Sequence, residues 1–282
     1  MYAEFKHTLL RLRGHIAGWG IAIAALGLLI VAFYGVFQER QADFLKMIQG
    51  YPPEFLAFFG GDASTLAKPE GFLGMYGFSM LPLIIGIFAV VAGSGLLASD
   101  EESGRLDLML TYPLSRSAFL WGRVLAFVCA TTAILVIGWV GFCVLLGPSA
   151  LDLTWGEMAL PFLSVLAQAL IYGALALLLE ALLPSRSLAA TVAGLVMVAS
   201  YLLSSMSALD ARLASVAQLL PFDYYQSGEA LNGLNLAWFL GLMGVSVLFV
   251  LLAWWRFDRR DIRVGGERGW RLPKLLRLPG RG

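Results

Sequence analysis

Between Ser99 and Arg123 the chain reads SDEESGRLDLMLTYPLSRSAFLWGR, a concentration of acids, bases and hydroxyls that its surroundings lack. The flanking stretches 71–99 and 124–151 contain no Asp, Glu, Lys or Arg. Groups of this kind could do catalysis, but the other parts an enzyme needs are missing. His7 and His15 are the only histidines and both precede the first apolar run, which excludes a Ser–His dyad and a His-rich zinc site. No GxxxxGK[ST] motif is present, and none of the four lysines follows a glycine, so ATP hydrolysis would have to occur on another chain. Cys129 and Cys143 fall on one expected helix about 21 Å apart along its axis. They cannot pair and read as small packing residues. What remains for the charged segment is contact: it is a loop, too short for a domain, that something outside the membrane touches.

Composition explains why a membrane is involved. Of 282 residues, 59% are hydrophobic and 14% charged, too apolar for a soluble domain of this length. A hydrocarbon core of about 30 Å takes roughly 20 helical residues to cross. Six windows free of charge meet that length: 16–37, 71–99, 124–151, 158–179, 187–209 and 230–255. A soluble helical core would instead interrupt each helix with polar residues every third or fourth position. The expected fold class is therefore an all-α membrane protein with six transmembrane helices. With a cytoplasmic N-terminus, 16 basic residues face the cytoplasm (Lys6, Arg11, Arg13, Arg105, Arg116, Arg123, Arg186 and nine from Arg256 onward) and four face out (Arg40, Lys46, Lys68, Arg212). That bias places both termini in the cytoplasm. The first apolar run is too long for a signal-peptide core and reads as an uncleaved span.

The remaining segments divide accordingly. Residues 1–15 read as a short cytoplasmic interfacial helix, with Tyr2, Phe5, Leu9 and Leu12 on one side and basic groups near anionic lipid headgroups. Residues 16–256 form the six-span domain, with the loop at 99–123 and outer segments at 38–70 and 207–236. The first outer segment, broken at Pro52–Pro53 and stopped at Gly60–Gly61, predicts two short amphipathic helices. Their phenylalanines could rest on lipid or on the protein's own spans. LASVAQLL in the second outer segment is too short to cross. Pro82 should kink span two. Ala169 and Gly173, and Ala189, Ala190, Ala193 and Gly194, have the small-xxx-small spacing of close helix packing. Residues 257–282 form a basic cytoplasmic tail.

The six windows hold no carboxylate or base that could bind a driving ion, Glu180 lying at a cytoplasmic end. A membrane subunit without its own energy source must receive mechanical work through a cytoplasmic contact. Ser99-Asp100-Glu101-Glu102 favours a helix start, Leu106, Leu108, Met109 and Leu110 give an apolar face, Tyr112–Pro113 ends it, and Ser117 could cap span three. Such a helix suits docking into a groove, or simply lies at the interface. Glu101–Arg105 has some likeness to the EExxxR signature of intramembrane prenyl-protein proteases, but Arg105 comes one residue early and the required histidines are absent.

The segment is similar to the signature loop of type-2 permeases of ATP-binding-cassette (ABC) transporters, E-E-x-G-x-L-x-x-L…P-x-S-R. The match rests on Glu101, Glu102, Gly104, Leu106, Met109 or Leu110, Pro113, Ser115 and Arg116. Agreement extends to the basic start, the Pro221–Tyr225 turn and the Phe257–Ile262 ending. The resemblance implies a half-transporter that pairs with a second permease copy or paralogue over a cytoplasmic ABC ATPase, in the plasma (inner) membrane of a prokaryote. ATP and Mg would be bound by the partner ATPase, and this chain would carry no cofactor. ATPase coupling would fall on a coupling helix with Glu101, Glu102, Gly104, Arg105, Leu106, Leu110, Pro113, Ser115 and Arg116, and on Arg186 in a smaller contact. The path between permeases would draw on Met75, Phe78, Met80, Gln168, Tyr172, Met197 and Tyr201. Flexible and aromatic groups suit an apolar or amphipathic substrate such as a drug, antibiotic or lipid, and equally suit plain packing. The expected function is the permease of an ABC exporter. The alternative is a non-transporting anchor or force-transmitting subunit of an envelope complex. The expected partners are membrane lipids and protein subunits, not nucleic acid.

Overall fold

In a computed structural model the chain is described over residues 1–50, 68–97, 116–207 and 211–259. Among these, six helices are long and apolar enough to cross a bilayer, and no strand is present. Glu101, Glu102, Gly104, Arg105, Leu106, Leu110, Pro113 and Ser115, the second short helix expected after Pro53, and the basic tail from residue 260 lie outside the described residues.

The first span, α1, runs from Tyr2 to Glu39 as one helix. No proline interrupts it, and its buried positions keep one stripe throughout: Glu4, Thr8, Leu12, Gly20, Ile23, Gly27, Ile30, Tyr34 and Phe37. Spacings of three or four residues, and of eight from Leu12 to Gly20, put these on a single face. The interfacial helix expected over 1–15 is therefore not a separate element but the first turns of α1, whose 38 residues reach about 57 Å. That is longer than a hydrocarbon core of about 30 Å. A short helix α2 (Gln41–Gln49) follows. Its Phe44 packs on Phe37 and Phe33, ring centroids 5.4 and 6.0 Å apart, so this aromatic rests on the protein's own span.

Span two is built in three pieces: α3 (Pro69–Leu73), a π-turn (Gly74–Phe78) and α4 (Leu81–Gly93). Pro82 is responsible. It has no N–H to give the carbonyl four residues back, and its ring crowds that carbonyl. The freed carbonyl, Phe78, instead accepts the Tyr225 hydroxyl at 2.8 Å. In the turn before it, the Ser79 N–H reaches Gly74 O at 2.8 Å, and the Ser79 hydroxyl takes the displaced Met75 O at 2.6 Å. The kink expected from Pro82 is thus a full break just ahead of it, in which the Phe78 and Met75 carbonyls and the Ser79 N–H find new partners.

Spans three to six are α5 (Arg116–Cys143), α6 (Trp155–Leu182), α7 (Arg186–Ser207) and α9 (Leu236–Asp258), with a short α8 (Ala211–Ala217) before the last. In a bilayer, helices associate through packing rather than through exclusion of water, so small residues set how closely they approach. Gly141 lies against Ala24 and Gly138 against Ile23, seating α5 along α1. Gly173 of α6 meets Phe127 and Ala89, and Gly93 meets the Gly173 carbonyl, joining α4 to α6. Ala189 and Ala193 are buried, whereas a side chain at Gly194 would meet open space. α6 is the central helix, 72% of its most apolar window being buried against 17% for α9. It opens on a reciprocal cap, the Thr154 hydroxyl accepting from Glu157 N–H and the Glu157 carboxylate from Thr154 N–H.

Candidate functional site

The charged segment's two roots are described even though its middle is not. Span two leaves its helix at Gly93 and continues to Leu97; span three begins at Arg116, eight residues earlier than its charge-free window. Ser117 is therefore inside α5 rather than at its cap, and its hydroxyl accepts the Trp254 indole N–H at 3.0 Å. One residue earlier, the Arg116 guanidinium donates to the Asp258 carbonyl at 3.4 Å. A cation at a helix C-terminus is favourably placed, so Arg116 joins the start of span three to the end of span six. Phe119 stacked on Phe257 at 6.4 Å continues that seam.

Arg123, counted from the sequence among the cytoplasmic charges, is fully buried. Its Nη1 donates to Leu96 O at 2.6 Å, its Nε faces Glu4 Oε2 at 3.5 Å, and its guanidinium carbon sits 3.9 Å from the Phe119 ring centroid. The Glu4 contact is an ion pair, longer than a hydrogen bond. Gly122 makes room for it: a Cβ there would meet Met1 O at 2.8 Å and Glu4 Cβ at 3.1 Å. From α6, Glu180, 4% exposed, accepts the Leu97 N–H on Oε2 at 3.2 Å. From α7, Arg186 donates to Val91 O at 3.2 Å and lies over Gly95. Val91 in the last turn of span two, and Leu96 and Leu97, three and four residues past the helix end at Gly93, are thus held by charged side chains from spans three, four and five, and through Arg123 by span one. Hydrogen bonds to ionised groups are about twice as strong as neutral ones.

The expected path residues divide into separate environments. Met80, Tyr172, Met197 and Tyr201 gather in one buried cluster with Phe222 and Leu242, the Tyr201 hydroxyl 3.7 Å from Met80 Sδ. Gln168, also buried, donates to Pro221 O at 2.6 Å, and the Ser200 hydroxyl accepts the Phe222 N–H at 3.1 Å. Phe78 belongs to a different cluster, stacked on Phe142 at 5.4 Å and edge-on to Phe162 at 5.5 Å. Met75 is half-buried beside it in sequence. Within this single chain Phe78, Gln168, Tyr172, Met197 and Tyr201 are 0–4% exposed; Tyr172, Met197 and Tyr201 share a cluster with Phe222 of the turn at 221–225, and Gln168 and the Phe78 carbonyl are hydrogen-bonded to that turn.

Sequence reasoning missed Glu4, Arg123 and Tyr225. Tyr225 had a signal: a proline within a span implies a freed carbonyl four residues earlier, hence a donor elsewhere. Arg123 had a weaker one, being two turns from Arg116 on the same face of a helix that starts earlier than charge suggested. Among the described residues no cluster of His, Cys, Asp or Glu could hold a metal.

A family model described as "ABC-2 family transporter protein" matches residues 17–262, which is most of the chain and includes both roots of the charged loop. A comparison with curated proteins finds no match. The six spans, the charged segment between the second and third of them and a family match over this length agree, and the chain belongs to the ABC-2 transporter family as a membrane-spanning permease.

Proposed function

We propose that this permease is the substrate-path half of an ABC exporter and that ATP-driven work enters it at the loop between spans two and three. The observation that carries the reading is where its buried charges are. Among the described residues Glu4, Arg123 and Glu180 are the charged groups that are buried, and Arg123 and Glu180 bond the backbone at the exit of span two. Buried charges in a transporter powered by an ion gradient belong in the middle of its spans. Here they reinforce the foot of a loop. The positive-inside bias, 16 basic residues against four, supports a cytoplasmic position for that loop and both termini, where a separate ATPase subunit with ATP and Mg would dock.

On this reading a second permease copy or paralogue completes the path. The exposed apolar faces of spans five and six, including Leu195, Leu202, Leu240 and Leu248, face that partner or lipid. The substrate is apolar or amphipathic, since the path-side candidates are Met, aromatic and neutral amide groups with no charge among them. The test is purification of the tagged chain from its host in mild detergent. A near-equimolar P-loop ATPase should accompany it, and changing Glu102 and Arg116 together should uncouple ATP hydrolysis from transport while the chain stays folded. A chain that consistently purifies without an ATPase would overturn the reading.

A further inference from the structure

Glu4, Arg123 and Glu180 come from three different helices, α1, α5 and α6; Arg123 and Glu180 bond one short stretch of backbone, and Glu4 reaches it through Arg123. Packing alone does not require this. Apolar side chains of similar volume hold helices together at least as well, and a buried ionic contact gives geometry rather than strength. The geometry here is specific. One guanidinium grips the Leu96 carbonyl at 2.6 Å and faces Glu4 at 3.5 Å, while Glu180 holds the adjoining Leu97 N–H at 3.2 Å. Gly122 lets the first turn of α1 come close enough for this. α1 then runs unbroken from Tyr2 to Glu39, and at its far end Phe37 packs on Phe72 of span two at 4.8 Å. The family match begins at residue 17, so it assigns nothing to the Glu4 turn.

We infer that Arg123 and Glu180 are positioning residues for the loop between spans two and three, and that the Arg123–Glu4 contact carries displacement of the loop's root into α1. The inference rests on the proposed coupling of that loop to an ATPase. A helix that is gripped at its first turn and unbroken thereafter moves as a body, so a shift at Leu96 is delivered to the aromatic contacts around Phe37 and Phe72.

The test is hydrogen–deuterium exchange on the permease with its co-purifying ATPase in lipid nanodiscs, with and without a non-hydrolysable ATP analogue and Mg. In the wild type the analogue should change exchange in residues 94–97 and in residues 2–8 together. In Glu4→Ala the response at 2–8 should fall by about fivefold or more, while that at 94–97 persists. Glu4→Asp should restore most of it. Gly122→Val, which forces the same two helices apart by another route, should give the same split. The inference is overturned if 2–8 respond in both disruptive variants as in the wild type. It is equally overturned if they do not respond in the wild type while 94–97 do. If no ATPase accompanies the chain, or neither segment responds in the wild type, the coupling reading itself fails and takes the inference with it.

Discussion

Span two loses its regular hydrogen bonding at both ends, and the two repairs use different chemistry. At the charged end, Leu96 and Leu97 are bonded by an arginine and a glutamate from other spans. At the broken stretch ahead of Pro82 neutral donors serve instead: the Tyr225 hydroxyl on Phe78 O, the carbonyl that Pro82 leaves free, and in the π-turn the Ser79 hydroxyl on Met75 O and the Ser227 hydroxyl on Gly74 O at 3.4 Å. The neighbouring turn is held in the same manner, Gln168 on Pro221 O and the Ser164 hydroxyl accepting Gln226 N–H at 3.1 Å. Neutral bonds are individually weak and can be exchanged singly; buried charges cannot lose a partner without a large penalty. The comparison assigns rigidity to the end where a partner would push, and local adaptability to the end where span two is broken.

The largest expected effect is at the charged end. Arg123→Met removes the donor to Leu96 and leaves Glu4 buried without its cation, a loss of about 3–5 kcal/mol. Thermal unfolding in detergent should show it as a large drop in midpoint, with Arg123→Lys intermediate. A small change in both would mean that the two ends are alike.

Next comes Tyr225→Phe, which strands the Phe78 carbonyl and should cost about 1–2 kcal/mol. Pro82→Ala sharpens that figure by returning an N–H to the same carbonyl, so the Tyr225→Phe penalty should shrink in its presence. A double-mutant cycle measures the difference. Equal penalties in both backgrounds would break the link between the proline and the tyrosine.

Gln168→Leu should be smaller still, under about 1 kcal/mol. It forfeits the bond to Pro221 but also removes a buried amide oxygen that has no partner. The smallest effect concerns Asp223 in the turn, whose carboxyl burial holds above its ordinary pKa. A raised acid binds its proton more tightly when folded, so its contribution is greatest below the unfolded pKa and fades as pH rises through the folded one. Asp223→Asn should therefore flatten the slope of unfolding midpoint against pH just above the ordinary carboxylate range, and a slope of opposite sign in the wild type would refute it.

Much of this architecture could be read directly from residue types. Absence of charge over about 20 residues locates a span because the hydrocarbon thickness leaves no alternative, and all six spanning helices fall on the expected windows. Boundaries were less legible for the same reason. Arg116 and Arg123 mark the end of an apolar window, yet a helix continues through charged residues when other helices supply partners, as Leu96, Glu4 and Asp258 do here. Charge reports contact with water only until a tertiary partner replaces it. The break in span two was half legible. Pro82 predicts the lost bond, but only the fold shows that Tyr225, 147 residues away from Phe78, repairs it. Met197 and Tyr201 show the reverse case, residue types that suit a path and equally suit the buried cluster they occupy.

The central claim is that work enters at the charged end, and photo-crosslinking in the host tests it most directly. A photoreactive residue at Arg105 or Leu110 is compared with one at Gly147 or Gly233, positions on the opposite side of the six spans. The account predicts that a P-loop ATPase is captured from the first pair and not from the second. Capture from Gly147 or Gly233, or from none of the four while the complex remains intact, would contradict it.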